Sequence, residues 1–246
     1  MRRPKRSALH AMRPVELAAL ALDRHQLTKL VLHELERRAG GPPDAEAATL
    51  LIRAYAEGTA PSWLVAILLG RVGHASGYPT ALAILRAPST GTAEECVCEA
   101  IARMVGGRCA DDLLPWLRGD ESAAVRNRAA RTLALAGVRE ALPAISDAAT
   151  RERIGLRTAR SALVTLDVDD EVVAGWLRSE RTIEMTLGCQ VVLKRLERAR
   201  MKRPVRAPGK WLAPLLRAAL DRPELVSLRY EREVLGEWAA GGADSG

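Results

Sequence analysis

Phenylalanine is absent from the 246 residues, and aromatic side chains together make up only 3%. A core without large rings has to be built from Ala, Leu, Val and Ile on closely spaced elements, and Ala and Leu are also the strongest helix formers. Cysteine is scarce as well: Cys96, Cys98, Cys109 and Cys189 offer no disulfide framework for a chain of this size. No apolar run approaches the roughly 18 residues that a membrane-crossing helix needs, the longest candidate being Leu64 to Leu69. The basic opening through Arg6 is followed by His10, Arg13, Pro14 and Glu16 rather than by an apolar stretch, so no secretory leader is expected. These absences lead to the expectation of a cytoplasmic protein with no membrane partner.

Catalytic and metal-binding patterns are equally sparse. Cys96 and Cys98 sit about 200° apart on a helix and would not chelate together, so they read as small buried residues. The histidines, His10, His25, His33 and His74, are scattered. Gly40-Gly41 and Gly106-Gly107 fall where helix ends are expected and match no phosphate-binding loop. Asp169-Asp170-Glu171 opens a helix, where carboxylates suit the free amide groups and the dipole. The expectation is a non-enzyme without cofactor or metal.

What the chain does hold is charge and repetition. Hydrophobic residues make up 48% and charged ones 27%, with a net charge of +7. That balance suits a folded chain with an acidic or polyanionic partner. Gly73, Gly106, Gly137 and Asp167 recur at intervals of 33, 31 and 30 residues and read as helix-closing positions, one per two-helix unit. In that register first helices fall near 44–57, 77–87, 109–118, 139–149, 168–179 and 209–221. Second helices follow at 60–73, 91–106, 123–136, 151–166, 181–198 and 223–240. Trp116-Leu117-Arg118 recurs as Trp176-Leu177-Arg178, and Leu114-Pro115 as Leu142-Pro143. Trp63, Trp116, Trp176 and Trp211 each precede a Leu and read as packing anchors. Residues 14–43 are expected to form a capping pair, with Asp23 between its halves. Residues 1–12 are expected to be a flexible basic arm, 199–209 a basic insertion loop and 241–246 a disordered tail, leaving 13–240 as a single domain.

Residues 113–137 carry Leu114-Pro115 in a first helix, Asp120 at the turn, and Val125-Arg126 and Ala129-Ala130 opening a second helix. This stretch resembles a HEAT repeat, of the short kind also noted in phycobilisome lyases. The resemblance implies an all-α, right-handed superhelical solenoid of about six to seven helix pairs. It also implies an Asp120–Arg126 ladder contact and second helices that line a concave surface. In that register Val125, Ala129, Ala130, Leu133 and Ala136 face inward, which leaves Arg128 and Arg131 outward. Arg157 and Arg160 repeat the spacing in the next unit. These four arginines form one candidate partner-binding ladder, and Lys202, Arg203 and Arg206 of the insertion loop a second basic site. The expected role is a monomeric scaffold that binds a protein with an acidic surface. The alternative is nucleic acid, as in the alkylpurine DNA glycosylases that are built from similar repeats; aromatic residues for stacking bases are not interleaved with the charges.

Overall fold

A computed structural model describes residues 6–38, 42–88, 92–201 and 206–241. The described residues are helical, joined by short turns, and hold no strand. The chain divides into two compact units, residues 1–111 and 112–246.

The first unit contains α1 (Arg6–Ala11), α2 (Pro14–Asp23), α3 (Thr28–Arg37), α4 (Ala45–Ala56), α5 (Ser62–Val72), α6 (Tyr78–Arg86) and α7 (Thr92–Val105). Helices α3, α5 and α7 pack side by side, while α2 packs on α3 and α4, and α6 on α7. Proline at the first or second position opens α2 and α6, where its missing N–H costs nothing. Asp44 caps α4 by accepting from the Ala47 N–H at 2.8 Å. The approach of α5 to α7 depends on Gly70: a Cβ there would lie 2.6 Å from the Ala100 Cα.

The second unit follows along α8 (Ala110–Arg118), α9 (Ala123–Leu135), α10 (Leu142–Thr150), α11 (Leu156–Thr165), α12 (Asp170–Arg178), α13 (Thr182–Arg200), α14 (Ala213–Leu220) and α15 (Arg229–Gly241). Here α9, α11, α13 and α15 form one row in which each helix packs on the next. Their partners α10, α12 and α14 pack against α11, α13 and α15 respectively.

All four expected closing positions are left-handed: Gly73 at φ 72°, Gly106 at 54°, Gly137 at 71° and Asp167 at 55°. Only Gly adopts this conformation freely, and Asp is among the few residues that tolerate it. The core is aliphatic, with Leu17, Leu51, Leu64, Leu68, Leu69, Ile84, Leu85, Ile101, Leu113, Leu117 and Leu133 among its largest fully enclosed side chains.

Several boundaries differ from expectation. Residues 6–11 form α1 instead of belonging to a flexible arm, because Leu9 is buried and Arg38 donates to the Leu9, His10 and Met12 carbonyls at 2.9, 3.1 and 2.6 Å. Asp23 ends α2 and pairs with Arg24 at 3.3 Å instead of capping α3. Helix α11 starts at Leu156, not near 151, because Glu152 turns left-handed at φ 57° and Asn127 Oδ1 accepts from the Gly155 N–H at 3.0 Å. Helix α13 runs on to Arg200 into the expected insertion loop, and α15 begins at Arg229 after a tight turn that starts at Pro223. Residues 242–246 of the expected tail lie outside the described residues.

The tie between successive helix pairs also differs from the Asp–Arg ladder. Arg126 donates to the Gly119 and Arg153 carbonyls at 3.3 and 3.0 Å, not to Asp120. Arg153 donates to the Arg118 and Gly119 carbonyls at the end of α8, at 3.1 Å for Arg118. Arg181 reaches the Thr150 carbonyl at the end of α10 at 2.8 Å, and Arg222 the Ser179 carbonyl after α12 at 3.3 Å. A loop arginine of each following pair thus supplies donors to carbonyls that have no partner within their own helix, at the negative end of the helix dipole.

Candidate binding face

Helices α9 and α11 lie next to each other, and their sequences, AAVRNRAARTLAL and LRTARSALVT, contain five arginines and no acidic residue. The first-row helices α10 and α12, by contrast, hold Asp147, Asp170 and Glu171 against one arginine, Arg178. Charge therefore differs between these neighbouring pairs, with cations gathered on α9 and α11 and acids on α10 and α12.

The five arginines are not equivalent. Arg131 on α9 and Arg157 on α11 are exposed. Arg160 is half-buried and donates through Nη1 to Gln190 Oε1 on α13, which fixes its head at the α11–α13 seam. Arg128 is only 4% exposed, which corrects the expectation that it faces outward. The reason is angular: three residues beyond Val125 is about 60° from it around the helix, and α9 buries an arc wide enough to take in Val125, Arg128, Ala129, Thr132 and Leu133. Its aliphatic stem is suited to such a place. Arg126, the fifth, is committed to carbonyls as described above.

Helix α13 adds cations that the arginine spacing did not single out. Lys194 pairs with Glu197 at 2.9 Å, and Arg198 donates to Thr165 Oγ1 of α11 at 3.0 Å. Their signal in the sequence was weak, because α13 also carries Glu184 and Glu197 and reads as a mixed helix. The face has an apolar member too. Leu135 is 44% exposed one helical turn from Arg131, so the two share one strip of α9.

The second expected site is only partly described. Lys202 and Arg203 lie outside the described residues. Arg206 is exposed and 3.9 Å from Asp169, and Arg139 lies the same distance from Asp169. The end of this segment is anchored, since the Gly209 N–H donates to Asp170 Oδ2 at 2.9 Å. Asp170 in turn is locked to Arg195 at 2.5 Å, with neither side chain more than 3% exposed, and Arg195 also donates to the Val168 carbonyl. Asp170 of the acidic run thus works as a structural clamp.

Of the tryptophans, Trp176 is buried and Trp116 half-buried, as anchors should be, whereas Trp63 and Trp211 remain 37% and 46% exposed. Among the described residues no group of three or more His, Cys, Asp or Glu converges as a metal site would require. Nor is any described helix long and apolar enough to cross a membrane. No family model, curated protein or solved structure matches the chain.

Proposed function

We propose that this chain is a HEAT-like helical scaffold that binds a protein partner bearing an acidic segment, through the adjacent basic second helices α9 and α11. The observation that carries this reading is the pairing of α9 with α11, whose sequences hold five arginines and no acidic residue. Their exposed heads, Arg131 and Arg157, have the planar donor fork that holds a carboxylate by two bonds. Partner-built arrays of helix pairs present extended surfaces of this kind. The ties from Arg153, Arg181 and Arg222 to helix-end carbonyls support a stacked array.

Nucleic acid would draw on the same arginines. Leu135 beside Arg131 favours a protein partner, since a phosphate backbone offers nothing to an exposed leucine. The two helices also lack any aromatic residue on which a base could stack.

The test is affinity capture from nuclease-treated extract of the native cells, with the wild-type chain compared against an Arg131→Ala/Arg157→Ala variant. The expected result is a protein retained by wild type, released as salt rises and lost in the variant. Capture that disappears on nuclease treatment would point to nucleic acid instead.

A further inference from the structure

We propose that a cleft in the first unit binds a small organic anion, a carboxylate or phosphate head on an apolar body, with Arg71 and Arg103 as the ligands of the head. The cleft has a volume of about 680 Å³, within the range of small-molecule sites. It opens among the end of α3, the end of α5, α7 and the segment Pro42–Ala45. Leu35, Pro42, Pro43 and Val72 give it an apolar wall, while Arg71 and Arg103 come from neighbouring helices.

The chain fills the position of the head with its own carboxylate. Glu36 pairs with Arg71 and lies 3.3 Å from Arg103 Nη1, so one carboxylate is shared by two guanidinium groups, as a bound acid would be. Glu36 stands near the end of α3 with 46% of its side chain exposed, whereas Arg71 has only 19% exposed. The acid is thus on the solvent side and the arginine is the fixed part. Arg71 also keeps a buried Nε–H that has no hydrogen-bond partner among the described residues. A buried donor left unpaired is unfavourable, and a small turn of the Arg71 head toward a ligand oxygen would give it a partner.

The other charged residues of the cleft are committed. Asp44 accepts from the Ala47 N–H, and Arg38 is held by Glu34 and by carbonyls of α1 and Met12. Glu36 is therefore the one carboxylate that competes with a ligand for Arg71 and Arg103, and its departure leaves both guanidinium groups to the incoming anion. This site lies wholly within residues 1–111 and is independent of the face on α9 and α11.

Titration of the full chain with phenyl phosphate, followed by ligand-observed NMR, tests the site, with benzoate as the carboxylate probe and inorganic phosphate as the head alone. The wild type is expected to bind phenyl phosphate at about millimolar concentration, more tightly than inorganic phosphate. Glu36→Gln keeps the shape and removes the competing charge, and should bind about tenfold more tightly. Arg71→Gln should lose binding. Should that variant fail to fold, Arg103→Gln, altered at a more exposed position, should weaken binding several-fold with an unchanged melting curve. Equal affinity in wild type, Glu36→Gln and Arg103→Gln overturns the proposal, as does the absence of binding to Glu36→Gln at tens of millimolar phenyl phosphate.

Discussion

Asp170 and Arg195 form a salt bridge with almost no exposure to water, and Arg195 is the one charged residue among the largest fully enclosed side chains. Such a pair contributes little net stability compared with apolar residues of similar shape, but removing one member strands the other. Asp170→Ala is therefore expected to lower unfolding stability by about 3–5 kcal/mol in urea titration. Asp170→Ala combined with Arg195→Leu should recover much of that loss. Glu34 adds a dependence on pH. Arg37 holds its carboxyl down to about 2 against the opposing effect of burial, with further help from Arg38 and His10. A depressed folded value means that the stabilisation is complete above the ordinary carboxylate value of 4.5 and is lost as pH falls toward 2. The melting temperature of wild type should thus fall across that window more steeply than that of Glu34→Gln, and the two curves should converge at its acid end. Equal slopes would contradict the role given to Glu34. At this scale the sequence was least legible. Arg128 and Arg131 share the same chemistry and lie on the same helix, yet one is buried and the other exposed, because the width of the buried arc is decided by neighbouring helices and not by local spacing.

The elements were more legible, since their ends are fixed by backbone sterics that the residue type announces. Gly73, Gly106, Gly137 and Asp167 all adopt the left-handed conformation their spacing led one to expect. Gly137 shows the cost in isolation, because a Cβ there would meet nothing within 4 Å. Gly137→Ala should destabilise by about 1 kcal/mol from backbone strain alone, and Asp167→Gly should be neutral or slightly stabilising, both read from thermal melts. The α5–α7 contact has a different origin. Gly70→Ala places its Cβ 2.6 Å from backbone and should cost about 1–3 kcal/mol by forcing the helices apart. The arginine-to-carbonyl ties escaped the sequence reading for a physical reason. Arg153, Arg181 and Arg222 are long side chains in polar loops, and nothing in such a loop says which carbonyl a guanidinium will reach.

At the scale of the molecule, charge is spread unevenly among the helices of the second unit. Cations gather on α9 and α11, and acids on α10 and α12, so whole-chain charge understates how basic one face is. The composition disclosed a basic chain, and the period disclosed which helices alternate. What neither could disclose is that two of the four arginines proposed for the ladder are withdrawn, one into the core and one to Gln190. The most direct test of the binding face is fluorescence anisotropy with two labelled probes of equal charge, an acidic peptide of alternating Glu and Leu and a short DNA duplex, each titrated at low and moderate salt. The account predicts that the peptide binds more tightly than the duplex, and that Arg131→Ala/Arg157→Ala abolishes binding while leaving the melting temperature unchanged. Tighter binding of the duplex with a steep salt dependence, or peptide binding that survives in the double variant, would contradict it.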